Sequence, residues 1–315
     1  MNQLKIFAIV VTYNGEDTID ECLRSLTDDA TIQRVIVIDN GSQDSTLSIL
    51  SNFPEIKLHR LGSNIGFGQA NNIGIMEALS EEADFVFLLN QDAVIFEDTI
   101  PKLLAVADEH KEYGILSPMH INGSQDQIDP KVSDYLTRNN AYLSDLYFSK
   151  EKECYEVEFI NAAAWLISDD CLKTVGGFDD IFFMYGEDDD YCHRARKANF
   201  KIGVVPMSMA IHYRSGRRPQ TTLRKRILQK ADYETSLSLA RIKKSKKKFL
   251  LTIILWLIDH VSAMLKLLFN GHFSDLLVSL IAGLKVIIRL PKLFNHIKKS
   301  RMAGAFLTNP ERATK

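Results

Sequence analysis

Along the first hundred positions, apolar residues fall in short unbroken blocks, each closed abruptly by polar ones. Lys5-Ile6-Phe7-Ala8-Ile9-Val10-Val11 ends on Thr12-Tyr13-Asn14-Gly15, and Arg34-Val35-Ile36-Val37-Ile38 ends on Asp39-Asn40-Gly41-Ser42. Phe85-Val86-Phe87-Leu88-Leu89 ends on Asn90-Gln91-Asp92. Blocks this short and rich in Val, Ile and Phe predict strands covered on both faces, as in a parallel sheet. Ile56 to His59 predicts a fourth strand. Between the blocks the period changes. Asp17 to Leu26 sets Ile19, Leu23 and Leu26 on one helical face, and Asp44-Ser45 caps a second helix. The Asn64–Gly74 stretch opens a third, running to about Leu79. Strand and helix alternating at this spacing predict a doubly wound α/β domain. Its polar strand ends then lie along one edge, bringing Thr12-Tyr13-Asn14, Asp39 and Asn90-Gln91-Asp92 to a single crevice.

The pattern is weaker afterwards. Residues 121–152 lack periodicity and predict a long loop beside the crevice. Glu158 to Ser168 predicts a strand, Gly176-Gly177 a break, and Tyr191 to Asn199 a helix entered through Glu187-Asp188-Asp189-Asp190. Lys201 to Val205 and Met209 to His212 predict two short strands. Beyond His212 the chain turns basic. Phe249 to Phe269 is apolar but holds Asp259, His260 and Lys266, fewer uninterrupted apolar residues than a spanning helix wants. Thr252, Asp259, Ser262 and Lys266 form a narrow polar stripe, and Ser274 to Leu290 repeats the design with Lys285 and Arg289.

Charge sharpens the division. Residues 1–213 carry 16 Lys/Arg against 35 Asp/Glu, and residues 214–315 carry 22 against 5. A polybasic run beside amphipathic apolar helices favours an anionic membrane surface as partner. The alternative is a helical hairpin packed on the globule or on a second subunit, which leaves a homo-oligomer open. No nucleic-acid partner is expected. Four scattered cysteines without metal spacing, and a strand pattern from Lys5 in place of a signal peptide, point to a cytoplasmic protein, peripheral on the inner face of the membrane.

Among candidate chemistry, the Asn64–Gly74 loop has neither the strand–GxGxxG–helix placement nor a Walker lysine, and alone it is a tight turn and helix entry. Asp39 is either a turn-forming residue or a group that recognises a base or ribose. Four acids from Glu187 to Asp190 suit a helix N-terminus. Their mutual repulsion also raises the pKa of the least solvated one, making it a candidate general base for an alcohol. Asp92 and His212 together are candidate ligands for Mg²⁺ or Mn²⁺, with substrate phosphates and water completing the shell.

Taken as an ordered set, Val11-Thr12-Tyr13-Asn14, Val37–Ser42, Asn64–Asn71, Leu89–Asp92, Gly176–Asp179 with Phe182-Phe183, and Gly186–Arg194 resemble the family 2 inverting glycosyltransferases, particularly bacterial rhamnosyltransferase-like members that build surface polysaccharides. The resemblance covers roughly residues 5–216. It implies a GT-A fold over residues 1–216, which the charge and apolar pattern extend with a basic linker or helix at 217–248 and an amphipathic, membrane-associating tail at 249–315. It further implies a divalent metal, a nucleotide-diphosphate sugar donor such as dTDP-rhamnose or a UDP-sugar, and a saccharide acceptor, lipid-linked if the tail reaches a membrane. Thr12, Tyr13 and Asn14 would line the nucleotide pocket and Asp39 would bind the base, with Asn64, Gly68, Asn71, Asn90 and Gln91 also on the donor side. Asp92 would be the metal-binding end of the D-x-D motif, whose first Asp is here Asn90, with His212 as a further ligand. Asp188 would be the catalytic base, supported by Glu187. Arg194, Arg214 and Arg217 are candidates to hold the diphosphate. Two rival readings are a nucleotidyltransferase, which wants a basic Gly-rich loop where Thr12–Glu16 stands, and a non-catalytic sugar-nucleotide-binding membrane scaffold.

Overall fold

A computed structural model describes residues 4–138, 140–214, 222–245 and 247–307. In chain order the first half runs β1 (Ile6–Thr12), α1 (Ile19–Thr27), β2 (Arg34–Asp39), α2 (Thr46–Leu50), β3 (Lys57–Arg60), α3 (Phe67–Ser80), β4 (Phe85–Asn90), β5 (Ala93–Ile95), α4 (Thr99–Glu109) and β6 (Tyr113–Ile121). It continues through α5 (Pro130–Thr137), α6 (Asn140–Tyr147), β7 (Tyr155–Glu156), β8 (Ala164–Ser168), α7 (Asp169–Val175), α8 (Glu187–Lys197) and β9 (Lys201–His212). Three long helices close the chain: α9 (Leu223–Lys244), α10 (Phe249–Phe269) and α11 (Phe273–Lys299).

One sheet of order β3-β2-β1-β4-β8-β6-β9-β5, with β7 on β9, forms the centre. β1 explains why its sequence block is unbroken. Side chains alternate across a strand, so Phe7, Ile9 and Val11 enter the core on one face while Ile6, Ala8 and Val10 enter the core on the other. Both layers are apolar, and no position is left for a polar residue until Thr12.

The sheet departs from the purely parallel expectation. β3, β2, β1 and β4 are parallel, but β8 runs antiparallel to β4 and β6, and β5 runs antiparallel to β9. The segment 121–152 is not a structureless loop, because it contains α5 and α6. The strand expected from Glu158 is ordered as a strand only from Ala164. The two short strands expected after Lys201 are one, β9, whose pairing with β6 skips from Val205 to Met209. Pro206 lies in that gap, where its missing N–H cannot break a ladder bond.

The C-terminal helices are docked rather than loose. Trp256, Val286 and Leu293 join Leu239 against Ile181 and Phe182, each such burial being worth ~2 kcal/mol. Below this cluster lies a buried charge network. Lys243 Nζ bridges Asp179 Oδ2 at 2.5 Å and Asp190 Oδ1 at 2.7 Å, and His296 Nδ1 meets Asp179 Oδ1. The chain then returns to the globule, where Gly177 N donates to Ala305 O at 2.8 Å. Gly176 has φ +84, and a Cβ there would lie 1.9 Å from Ala305 O, so glycine is needed both for the turn and for the close approach. The outward faces of α10 and α11 remain apolar and exposed, with Leu250, Ile258, Phe269, Phe273, Leu284 and Ile288 among them.

Candidate active site

The donor-side residues meet as the polar strand ends require. In the sheet register Thr12 lies beside Asp39, and Asn90 beside Val11. Gln91 Oε1 accepts from the Thr12 hydroxyl at 2.7 Å and from Tyr13 N at 2.9 Å, which clamps the ends of β1 and β4 together. Asn14, at φ +49, accepts from Gln43 N while its own N–H donates to Ser42 Oγ, tying the β1 and β2 loops. Asp39 is buried and accepts from Ser42 N at 3.2 Å. Tyr13 stays exposed above this floor.

Three further residues expected on the donor side, Asn64, Gly68 and Asn71, shape the wall around α3. Asn64 Oδ1 accepts from Asn40 Nδ2 at 3.1 Å and Gly66 N at 2.9 Å, shaping the loop before α3. A Cβ on Gly68 would sit 2.7 Å from Phe178 Cβ, so this glycine serves helix packing. Asn71 is buried within α3 and donates to Phe67 O. The loop glycine that close approach does demand is Gly66, with φ +96 and a would-be Cβ 2.3 Å from Phe183 O.

A cavity of about 630 Å³ opens at the sheet edge, and Asn90, Asp92, Glu187, Asp188, His212 and Arg214 all line it. Asp92 follows β4 and His212 ends β9, and the β5–β9 pairing brings Asp92 Oδ1 to 3.6 Å from His212 Nε2. The other ring nitrogen, Nδ1, faces Asp129 at 3.4 Å. Asp129 also holds the Arg214 guanidinium through two bonds and N-caps α5 by accepting from Lys131 N at 2.8 Å. Burial alone would drive the His212 imidazole down, but the two flanking carboxylates outweigh it and raise its pKa.

Opposite stands the first turn of α8. Glu187 and Asp188 both lie above the ordinary carboxylate range, burial being the main cause for each. Glu187 is lifted further because Asp188 adds a like charge to its burial. Asp188 keeps backbone partners that favour its charged form, the N–H groups of Asp189 and Ala162. Both carboxyls are thus held toward their protonated forms, and the backbone N–H groups at Asp188 favour its charge more than anything at Glu187 does.

Residues 7–172, more than half of the chain, match the family described as Glycosyl transferase family 2. The chain belongs to that family. It is 29% identical over 207 residues to the low-salt glycan biosynthesis hexosyltransferase Agl10 of Haloferax volcanii, covering 65% of this chain and 66% of that one. It is 28% identical over 249 residues to the N-acetylglucosaminyl-diphospho-decaprenol L-rhamnosyltransferase of Mycobacterium tuberculosis, covering 68% and 79%. In fold it is similar to the mannosyltransferase PcManGT of Pyrobaculum calidifontis, solved with GDP-Man and Mn²⁺. The TM-score there is 0.53 at 14% identity, over 91% of this chain and 88% of that one. The mixed α/β sheet is thus a GT-A fold, with helices appended at the C-terminus.

For a family 2 transferase with Asn90 in place of an acid, the fit of a divalent ion rests on Asp92 and His212. Asp92 Oδ1 and His212 Nε2 stand 3.6 Å apart, both residues line the cavity, and His212 Nδ1 is turned toward Asp129 at 3.4 Å. A histidine held by a carboxylate through one nitrogen presents the other to a metal, so these residues fit. Among the described residues, two groups of three ligand-type side chains also cluster, Asp179-Asp180-His296 and Glu109-His110-Glu153. Neither lines this cavity, and Lys243 already neutralises Asp179.

Arg194 is a correction. Its guanidinium is buried and fully engaged by Asp190 Oδ2 at 2.9 Å and by the carbonyls of Val175 and Gly177, both at 2.7 Å, so it fixes α8 and reaches no diphosphate. Arg214 does line the cavity, whereas Arg217 lies outside the described residues. The important residue that sequence reading missed is Asp129. Asp129-Pro130 is an N-cap followed by proline at the first helical position, a local signal for α5 within a segment that otherwise lacks periodicity.

Proposed function

We propose that this protein is an inverting glycosyltransferase that moves a rhamnosyl or hexosyl unit from a nucleotide-diphosphate donor, dTDP-rhamnose or a UDP-sugar, to a saccharide acceptor that is lipid-linked. The observation that carries the reading is a raised-pKa carboxylate, Asp188, facing Asp92 and His212 across one cavity. The nucleotide lies against Thr12, Tyr13 and Asp39, and Arg214 stands near its diphosphate. Asp188 takes the proton of an acceptor hydroxyl as that oxygen attacks the anomeric carbon from the face opposite the diphosphate. The bond from that carbon to the diphosphate oxygen breaks, and its electron pair leaves with the nucleotide, so the anomeric configuration inverts. Protonated Glu187 keeps a second negative charge away from the base. Asp92 and His212 would hold Mg²⁺ or Mn²⁺, which when bound supplies Lewis-acid neutralisation of the departing diphosphate. The rhamnosyl and hexosyl relatives support the sugar class, and the Mn²⁺ in PcManGT supports the metal.

The same reading has the enzyme lie on an anionic membrane surface, on the cytoplasmic side. α10 is long and apolar enough to cross a membrane by length and composition. It is instead laid along α11, with Trp256 and Thr252 buried and His260 Nε2 at 3.1 Å from Ser279 O. α11 is in turn tied to α9 by Lys285 and Asp232. Helices fastened side by side to the catalytic globule suit a surface-lying slab.

Asp188→Asn tests the core of the proposal. Sugar transfer from a panel of dTDP- and UDP-sugars to a membrane fraction should fall by about 10²–10⁴-fold, with nucleotide affinity by calorimetry unchanged. Near-normal transfer would remove Asp188 as the base.

A further inference from the structure

A second cavity, of about 780 Å³, adjoins the first, and Tyr135, Phe159 and Asp189 line both. Its position is informative. Nucleotide-side residues stand at the ends of β1 and β2, toward the β3 margin of the sheet. The second cavity is built from β7 and the segment after it, from the C-terminal end of α5 and from α8, beyond β4 on the other side. Asp188 sits at the junction: it lines the first cavity together with Tyr135, and its chain neighbour Asp189 and Tyr135 line both. A group resting in the second cavity would therefore reach the base from the side away from the donor.

We propose that this cavity is the acceptor subsite, and that it takes a neutral pyranose unit of the acceptor saccharide against the Tyr135–Phe159 pair. The proposal rests on the glycosyltransferase reading given above. The two rings meet edge to face with centroids 5.0 Å apart, an apolar corner for the C–H face of a sugar. Around it stand Arg138, Arg196 and Lys244 with Glu156, Glu158 and Asp189, three charges of each sign. Arg196 pairs with Glu158 at 3.0 Å and Lys244 pairs with Asp189. Sugar hydroxyls both donate and accept, so they use such a balanced lining fully. A phosphate or diphosphate only accepts and would confront three carboxylates. The volume falls in the range of ordinary small-ligand sites.

The probe is a printed array of neutral and phosphorylated bacterial saccharides, read with the labelled full-length protein, its Arg138→Ala variant and its Glu158→Ala variant. Both side chains are at the exposed rim, outside the residues assigned to catalysis or donor binding, and unchanged thermal midpoints verify folding. The wild type should retain neutral glycans, and each variant should bind them about tenfold more weakly, the worth of one charge-assisted hydrogen bond, with UDP and dTDP affinity unaltered. Three results overturn the proposal: no neutral glycan retained by the wild type, retention by both variants equal to that of the wild type, or retention of phosphorylated glycans alone. Hydrolysis of the nucleotide sugar by the wild type is measured alongside. If it persists while glycan binding fails, only the subsite falls; if it is absent, the transferase reading falls.

Discussion

Lys243→Met is the perturbation that most directly examines how the C-terminal helices serve the catalytic one. The Lys243 side chain is 4% exposed, and the two carboxylates it bridges, Asp179 and Asp190, are 0% and 1% exposed. Methionine fills the volume but removes the cation that the two buried anions share, leaving Asp190 to Arg194 and Asp179 to His296. Breaking a buried pair in this way costs about 3–5 kcal/mol. For a chain of this size that corresponds to roughly 5–8 °C in the unfolding midpoint. Urea unfolding at pH 7 gives the loss directly. A pH series then tests its origin. Burial alone would raise the Asp179 pKa, but His296 and Lys243 hold it down to about 2. A carboxylate depressed on folding contributes stability above its unfolded value, 3.8, and loses it as pH falls toward 2. In the variant only His296 still opposes the burial, so the Asp179 pKa rises and protonation relieves part of the cost. The gap between wild type and variant should therefore narrow steadily from pH 7 to pH 4. A loss under ~1 kcal/mol at pH 7, the size of an exposed pair, or a gap that does not change with pH, would refute the buried-network account.

Further outcomes are expected from the site and the surface. The acid limb of kcat/KM should lie near pH 6, where Asp188 takes up its proton, with activity present above and lost below. Asp189→Asn removes a neighbouring negative charge and should move that limb to lower pH; an unmoved limb would argue for a different titrating group. Chelation by EDTA should abolish transfer and added Mn²⁺ restore it. Asp129→Asn, which removes the carboxylate facing His212 Nδ1 and the partner of Arg214, should raise the Mn²⁺ half-saturation about 10–100-fold, and an unchanged value would sever the link from Asp129 through His212 to the metal. Charges placed on the outward apolar face, Ile258→Glu with Leu284→Glu, should reduce co-flotation with phosphatidylglycerol vesicles while leaving soluble-donor hydrolysis intact. Undiminished flotation would mean that another surface holds the membrane.

The chain by itself determined the elements whose geometry is local. Strands buried on both faces must be apolar at every position, so β1, β2 and β4 were legible, and so were the polar groups Thr12, Asp39 and Asp92 where burial ends. Glu187 and Asp188 were legible as acids crowded at a helix start. The direction of β8 was not, because an apolar run looks the same parallel or antiparallel. α5 and α6 escaped because their eight-residue helices carry little periodicity, and Asp129 escaped with them. The charged residues divide most clearly. Arg194 and Arg214 are alike in sequence, yet one is enclosed by the carbonyls of Val175 and Gly177 while the other faces the cavity. Lys243 and Lys247 belong to one polybasic run, yet Lys243 is enclosed in a buried ion pair while Lys247 is exposed. Backbone period is written into neighbouring residues. The partner of a charge is set by distances across the fold, and those distances decide whether it stabilises a helix, tunes a base or meets a substrate.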